Sequence, residues 1–336
     1  ALSIQGKRVG ICPSSTFAGA RIEVELATGR IERQADLSPS DPFLAGFDEE
    51  PIAVCVRDRQ GKVLVEFDRR LLEEQPEPEP AEEPPLPSEV ATPHELFLIG
   101  VHLDQYRHAT RAPEPYWEEA LRRDPEHAPS HLALGKRFLT RGLFQDAERC
   151  FRVAQTCLTR RNPNPSDGEP SYHLGMVLEL QGRSQEAHAA YAKAAWNYAW
   201  AGASRIGIAR LLMRGRRFEE ALEALAQARM GLGDANAIGS MRAAAHRQLG
   251  RTDEARREAE AVLGYDPLDH ACLYEAARAG STEASERLRG ALRDDVQNWI
   301  DLALELRACG LHEDADEVLR GAPGRHPIVA LLLGER

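Results

Sequence analysis

The stretch YRHATRAPEPYWEEALRRDP, residues 106–125, concentrates groups that do chemistry. It holds His108, the arginines Arg107, Arg111, Arg122 and Arg123, the pair Tyr116-Trp117, and Glu114, Glu118 and Glu119. An aromatic platform flanked by carboxylates suits a sugar, which stacks on the ring face and hydrogen-bonds to the acids. Further on, His127 and His131 have the i,i+4 spacing of a helical zinc pair, with Glu126 adjacent. Pro129 lies between them at a helix start and no third ligand follows at good spacing, so no metal is expected. His94, His102 and His108 do not share a helical face. None of the six cysteines forms a CxxC pair. Cys150 and Cys157, seven apart, fall on one helix face. Cys12 and Cys55 fall in a β region, either as free thiols or as an inter-sheet disulfide. There is no nucleophile elbow, Gly-rich phosphate loop or paired-acid motif. Neither an active site nor a cofactor is expected.

The elements that must position these groups come in two kinds. Residues 1–72 read as β: Ile22, Val24 and Leu26 alternate with Arg21, Glu23 and Glu25, and a turn at Thr28-Gly29 follows. PIAVCVRDRQGKVLVEF is a hairpin turning at Gln60-Gly61, with Ile52, Val54 and Val56 inward. About five short strands imply a small immunoglobulin-like β-sandwich, in architecture only, because this region has no Trp. Residues 73–93 alternate Pro and Glu, cannot form a core, and are expected to be an extended linker or strap. Seven Glu of residues 73–92 account for most of the net charge of −11. The rest is nearly balanced, so nucleic acid is not an expected partner. No apolar run has the length of a membrane span. The N-terminus shows no signal-peptide core and opens on a strand, as a piece cut from a longer protein would. With so few cysteines, a reducing cytoplasm is the expected location.

Residues 94–336 are helical and repetitive. Ala147, Phe151 and Ala154 recur as Ala187, Tyr191 and Ala194, as Ala221, Leu225 and Ala228, as Ala255, Ala259 and Val262, and as Ala315, Leu319 and Ala322. The leading alanines are 40, 34, 34 and 60 residues apart, and Ala284 divides the last gap. Small residues at Gly135, Gly175, Ala209, Ala243 and Ala303 mark the preceding helices. Glycines at 142, 182, 215, 250 and 310 mark the turns, and Pro125, Pro267 and Pro327 close units. The pattern resembles the tetratricopeptide repeat, strongly over 128–264 and 296–327 and in degraded form over 265–295. The resemblance implies an α-solenoid of about seven helical hairpins in which small residues allow close helix approach. RRNPNPSDGEP is an insertion that must bulge from the array.

Counting back 34 from Ala147 places Pro113, Trp117 and Ala120 in the second helix of a first repeat. Trp117 then fills the aromatic packing slot, and Glu118–Arg122 and Glu119–Arg123 are i,i+4 pairs. Arg107, His108 and Arg111 fall at the inter-helix turn and are expected to dock domains. The same stretch, with RRNPNPSDGEP and YAKAAWNYAW, is similar to a large bacterial family without an assigned activity. That family joins a galactose-mutarotase-like β-sandwich to a tetratricopeptide array. The likeness covers about residues 20–270 and implies that this chain is a C-terminal part, the carbohydrate-type sandwich lying upstream.

By the tetratricopeptide resemblance, the first helix of each repeat lines a concave face and contacts extended peptides. His102, Tyr106, Lys136, Tyr172, Arg210 and Arg247 fall on it, a net basic set suited to an acidic peptide or to the chain's own Glu-rich segment. Trp196 and Trp200, i,i+4 apart, are expected to share a face, packing between repeats or stacking on a partner. The expected function is a non-catalytic interaction scaffold. The alternative is an accessory or oligomerisation module of a carbohydrate-active enzyme, with carbohydrate reached through the upstream domain. Homodimerisation is open too, since the end helix HPIVALLLGER is too apolar to be left wet.

Overall fold

The computed structural model describes residues 1–72, 83–164, 167–233 and 235–334. The chain forms two compact units, Ala1–Pro80 with Arg256–Ala291, and Ala81–Ala255 with Leu292–Arg336.

Among the described residues the β part of the first unit has seven strands: β1 (Leu2–Gln5), β2 (Arg8–Ile11), β3 (Phe17–Leu26), β4 (Gly29–Leu37), β5 (Phe43–Gly46), β6 (Ala53–Arg57) and β7 (Val63–Asp68). They form two antiparallel sheets, ordered β1-β2-β5 and β4-β3-β6-β7. Alternation along β3 sends Ile22, Val24 and Leu26 into one core with Val9, Ile11, Val54 and Val56. Glu23, expected outward, is nevertheless buried, because Arg21, Arg30 and Arg57 close over its carboxylate. The β6–β7 turn is held by Asp58, whose side chain accepts from the Gln60 and Lys62 amides at 2.9 Å. Cys55 points away from the Val54/Val56 face, and Cys12 and Cys55 are both free thiols. The open disulfide alternative is thus decided by the strand's alternation.

Among the described residues the α-helices run in seven pairs and a last single one: α1 (Pro93–Tyr106), α2 (Glu114–Arg123), α3 (Ala128–Thr140), α4 (Phe144–Thr159), α5 (Glu169–Leu180), α6 (Ser184–Ala194), α7 (Tyr198–Arg214), α8 (Phe218–Leu232), α9 (Asn236–Gln248), α10 (Thr252–Leu263), α11 (His270–Arg278), α12 (Thr282–Leu292), α13 (Val296–Ala308), α14 (His312–Gly321) and α15 (Pro327–Leu333). α11 is the shortened first helix of the degraded repeat. α15 leaves Ile328 and Leu331 exposed. No helix among the described residues is long and apolar enough to cross a membrane.

Each pair turns in the same way. The amide directly after a left-handed residue at the turn donates back to a carbonyl five residues earlier: His108 to Leu103, Leu143 to Phe138, Arg183 to Leu178, Arg217 to Leu212, Arg251 to His246, Ser281 to Ala276 and Leu311 to Leu306, at 2.9–3.2 Å. That geometry requires a left-handed residue just past the helix. Glycine supplies it at 142, 182, 250, 280 and 310, but Arg107 (φ 49°) and Arg216 (φ 55°) supply it in the first and fourth pairs. The expected turn residue Gly215 sits one position early, with φ −79°.

Within each of the first three pairs the small residue of the first helix meets the aromatic of the second. A Cβ on Gly100 would lie 2.3 Å from Trp117, one on Gly135 2.5 Å from Phe151, and one on Gly175 2.6 Å from Tyr191. Trp117 is 2% exposed, and its indole N–H donates to Phe97 O at 3.2 Å.

Of the expected Pro/Glu segment, 73–82 lie outside the described residues. Residues 83–92 are strapped along α2. The Tyr116 hydroxyl donates to Pro85 O at 2.8 Å. The Arg123 guanidinium donates to the carbonyls of Pro87, Ser88, Val90 and Ala91 at 2.6–3.4 Å. Val90 enters the core formed by Leu96, Leu103, Tyr116 and Ala120.

Candidate functional site

The first three repeats leave a groove of about 470 Å³ between α1, α3 and α5. Its floor is Phe97, Val101, the edge of Trp117, Leu132, Ala133 and Leu158; its rim is Asp104, Gln105, Lys136, Asp167 and Glu169. Helical spacing puts Phe97, Val101 and Asp104 on one face of α1. Rim charges are fixed by neighbours. Lys136 Nζ meets Glu169 Oε1 at 3.0 Å, and Arg137 donates to Asp104 at 3.2 Å. Asp167 accepts from the Glu169 amide at 2.8 Å, where α5 begins. Such a site buries an apolar side chain and offers both donors and acceptors to a polar main chain.

Of the six residues expected to line a groove, Lys136 alone does so here. His102 and Tyr106 stack on each other at 4.6 Å with Tyr106 72% exposed. Tyr172 packs inward, 4.9 Å from Trp200 and 5.8 Å from Tyr191. Arg210 grips the buried Glu179 through Nε and Nη2 at 3.0 and 2.9 Å, and Arg214 adds a third contact at 3.0 Å. The Tyr191 hydroxyl donates to the same carboxylate at 2.6 Å. Burial acts to raise the Glu179 carboxyl, but the Arg210 hydrogen bond and charge and the Tyr191 hydrogen bond outweigh it and hold it below the usual value. Burial, with Glu179 beside it, pushes the Tyr191 hydroxyl up. Arg247 pairs with Asp314 at 3.1 Å, and Arg214 Nε donates to Ala308 O at 2.7 Å. The α13–α14 turn and the start of α14 therefore lie against α7 and α9. The net basic set read from the sequence is thus neutralised by the chain's own carboxylates, and the open groove carries three carboxylates against one lysine.

At the α1–α2 turn, Arg107, His108 and Arg111 border a wide depression of about 750 Å³ with Asp104 and Arg137. Glu83 reaches it from the strap: its carboxylate accepts from Thr110 Oγ1 at 2.9 Å and Arg111 Nη2 at 3.0 Å. Those hydrogen bonds hold the Glu83 carboxyl below its usual value. The expected Glu118–Arg122 pair is replaced by Glu119, which holds both Arg122 and Arg123, at 2.7 and 2.6 Å. The candidate zinc histidines bind elsewhere, His127 with Ser130 Oγ at 2.8 Å and His131 with Pro125 O at 2.9 Å. Among the described residues no group of three or more His, Cys, Asp or Glu could hold a metal ion.

Trp196 and Trp200 do not share a helix face. α6 ends at Ala194 and α7 starts at Tyr198, capped by Asn197, whose side chain accepts from the Ala199 amide at 3.1 Å. The break turns Trp200 inward onto Tyr172 and His173 and leaves Trp196 76% and Tyr198 83% exposed.

The groove's apolar floor was missed because Phe97, Val101 and Leu132 look like core in a helical pattern. The rim residues Asp167 and Glu169 come from the insertion, whose path has no periodicity to read.

Residues 132–204 match the tetratricopeptide repeat family. Among solved structures, the chain is similar to a tetratricopeptide repeat protein from Parabacteroides merdae ATCC 43184, at 12% identity and a TM-score of 0.53. That likeness covers 72% of this chain and 97% of the other. It is also similar to PilW, described as a widely conserved type IV pilus biogenesis factor, at 15% identity and a TM-score of 0.53, over 64% of this chain and 98% of that one. At these identities the likeness is one of fold. Seven hairpins among the described residues, glycine-on-aromatic contacts in the first three of them, left-handed turns and the matched stretch lead to one conclusion: the chain carries tetratricopeptide repeats, folded as an α-solenoid after a small two-sheet β region.

Proposed function

We propose that this chain is a non-catalytic protein–protein interaction scaffold whose partner site is the groove between α1, α3 and α5. The groove itself carries the proposal: an open apolar floor with a polar rim. Its partner is an extended peptide that sets a bulky apolar side chain against Phe97, Leu132 and Trp117. Gln105, Lys136 and the rim carboxylates bind its main chain and flanking charges. Because Asp104, Asp167 and Glu169 outnumber Lys136, a neutral or cationic segment is favoured.

The acidic-peptide reading keeps one supporting observation, the Glu83 carboxylate seated at the α1–α2 turn. We assign Arg107, His108 and Arg111 the role of anchoring that acidic segment. The six free thiols support a cytoplasmic setting. Membership in a larger protein with an upstream carbohydrate-type sandwich belongs to the same proposal. There the array would be an accessory module, and a glycan assay on the longer protein carrying Trp117→Ala tests that role.

The groove is tested with random displayed peptides selected against the whole chain and then titrated calorimetrically. Ala133→Arg, which fills the groove, is expected to weaken selected peptides at least about ten-fold, or about 1.4 kcal/mol. Lys136→Glu is expected to strengthen cationic ones. Peptides that bind the Ala133→Arg protein as well as the parent would sink the proposal.

A further inference from the structure

The last turn of α1 is shared by two cavities. Asp104 rims the apolar groove and also lines the depression at the α1–α2 turn. On α3 the neighbours Lys136 and Arg137 divide in the same way, Lys136 to the groove and Arg137 to the depression. The Arg137–Asp104 bond at 3.2 Å neutralises the carboxylate at the junction, and Arg137 Nε also donates to Glu114 at 2.9 Å. Val101 in the groove floor and Arg107 at the turn are six residues apart, about 9 Å along a helix axis. An extended peptide covers that length with about three residues.

The two ends of this path differ in charge. Asp167 and Glu169 rim the groove, with Lys136 as the cation. At the turn Arg107, Arg111 and Arg137 stand against Asp104. The turn already holds a carboxylate: Glu83 accepts one bond at each oxygen, from Thr110 Oγ1 and from Arg111 Nη2. Its side chain sits at the edge, 58% exposed. Arg107, exposed at the same turn, has no ion pair among the described residues. An exposed pair contributes little, so Glu83 gives way to an incoming carboxylate at small cost. The strap itself stays pinned by Tyr116 and Arg123, which keeps Glu83 close by as a tethered competitor.

From these observations we infer that the groove and the basic α1–α2 turn are two subsites of one track for a bipolar peptide. A bulky apolar residue fills the groove, and an acidic residue about three positions away takes the place of Glu83 at Thr110 and Arg111. A cationic flank faces Asp167 and Glu169. Such a ligand presupposes the peptide groove proposed above and adds to it a charge order and an internal competitor. The seated Glu83 carboxylate shows which chemistry the turn accepts. The shared Asp104 shows how one ligand reaches both ends. Arg107 offers the incoming carboxylate a second guanidinium beside Arg111.

The probes are end-blocked peptides of the orders Lys-Ala-Trp-Ala-Ala-Glu and Glu-Ala-Ala-Trp-Ala-Lys, each with a twin carrying Gln for Glu, titrated calorimetrically against the whole chain. In one order the Glu peptide is expected to bind at least about five-fold tighter than its twin. Glu83→Gln is expected to widen that gap about three-fold or more by tightening the Glu peptide alone. Arg111→Ala is expected to close the gap. Far-ultraviolet circular dichroism is expected to stay unchanged in both variants. Ala133→Arg is expected to weaken both twins at least about ten-fold. Twins that bind alike in both orders, or a gap that Glu83→Gln or Arg111→Ala leaves unaltered, overturn the inference. The groove reading stands in those cases as long as Ala133→Arg still weakens both twins. Peptides that fail to bind, or that Ala133→Arg leaves unweakened, overturn the groove reading as well.

Discussion

Arg216 holds a left-handed backbone, φ 55°, where five of the seven hairpin turns use glycine. A Cβ in that conformation crowds the following carbonyl, at a cost of roughly 1–2 kcal/mol, partly offset because glycine loses more freedom on folding. Arg216→Gly is therefore expected to stabilise the protein by about 0.5–1 kcal/mol in urea unfolding; a loss of stability would show that the Arg216 side chain contributes more than its backbone costs. Glu179 is the opposite case, a buried carboxylate that Arg210, Arg214 and Tyr191 all require. Glu179→Ala leaves Arg210 without its carboxylate partner and is expected to cost about 3–5 kcal/mol. The folded carboxyl lies below its ordinary 4.5, so it binds a proton less readily than in the unfolded chain. The stability it contributes is present in full above that ordinary value and is lost as pH falls through the lower folded value. Unfolding measured between about pH 5 and pH 3 should show a shallower acid loss in Glu179→Gln than in the parent. Equal slopes would remove Glu179 from the acid response.

At the scale of the element, the hairpin is set by glycine on aromatic. Gly100 is the sharpest instance, since an added Cβ would fall 2.3 Å from Trp117 Nε1, whose ring is fixed by its hydrogen bond to Phe97 O. Gly100→Ala is expected to destabilise by about 1–3 kcal/mol through overpacking, against the gain in helix propensity that alanine ordinarily brings. Hydrogen exchange should show the loss concentrated in α1 and α2; a neutral or stabilising result would contradict the close approach. The break between α6 and α7 is the element-level event that the spacing of Trp196 and Trp200 could not show. Periodicity places both on one helix face only while the helix runs on, and Asn197 starts a new one.

Across the whole molecule, Tyr191 links repeats as well as helices. A Cβ on Gly175 in its own pair would lie 2.6 Å from its ring, and one on Gly207 in the next pair 2.7 Å. In a repeat array stability is the sum of units and the interfaces between neighbours. Tyr191→Ala removes a ring from both, so it is expected to cost about 3–5 kcal/mol and to broaden the unfolding transition as well. A transition shifted with an unchanged slope would place the loss inside one pair. The α13–α14 turn against α7, through Arg214 and Ala308, adds a contact between pairs far apart in sequence.

Much of the architecture was legible in the residues themselves. The 34-residue recurrence, the place of Trp117 and Ala120 in a second helix and the alternation of Ile22, Val24 and Leu26 follow from local periods of about 3.6 and 2 that any core-facing element must keep. The seven hairpins follow from those periods repeated. Charge pairing across elements did not follow. Arg210 and Arg247 read as exposed donors because a helix position says which way a side chain leaves the axis, not which carboxylate from another element meets it. Only the packed array brought Glu179 to Arg210 and Asp314 to Arg247. It also brought Glu83 to Arg111 and opened a groove with an acidic rim where a basic one was expected. Local geometry is encoded within one turn of the chain, whereas electrostatic partnership is decided by residues that only folding makes neighbours.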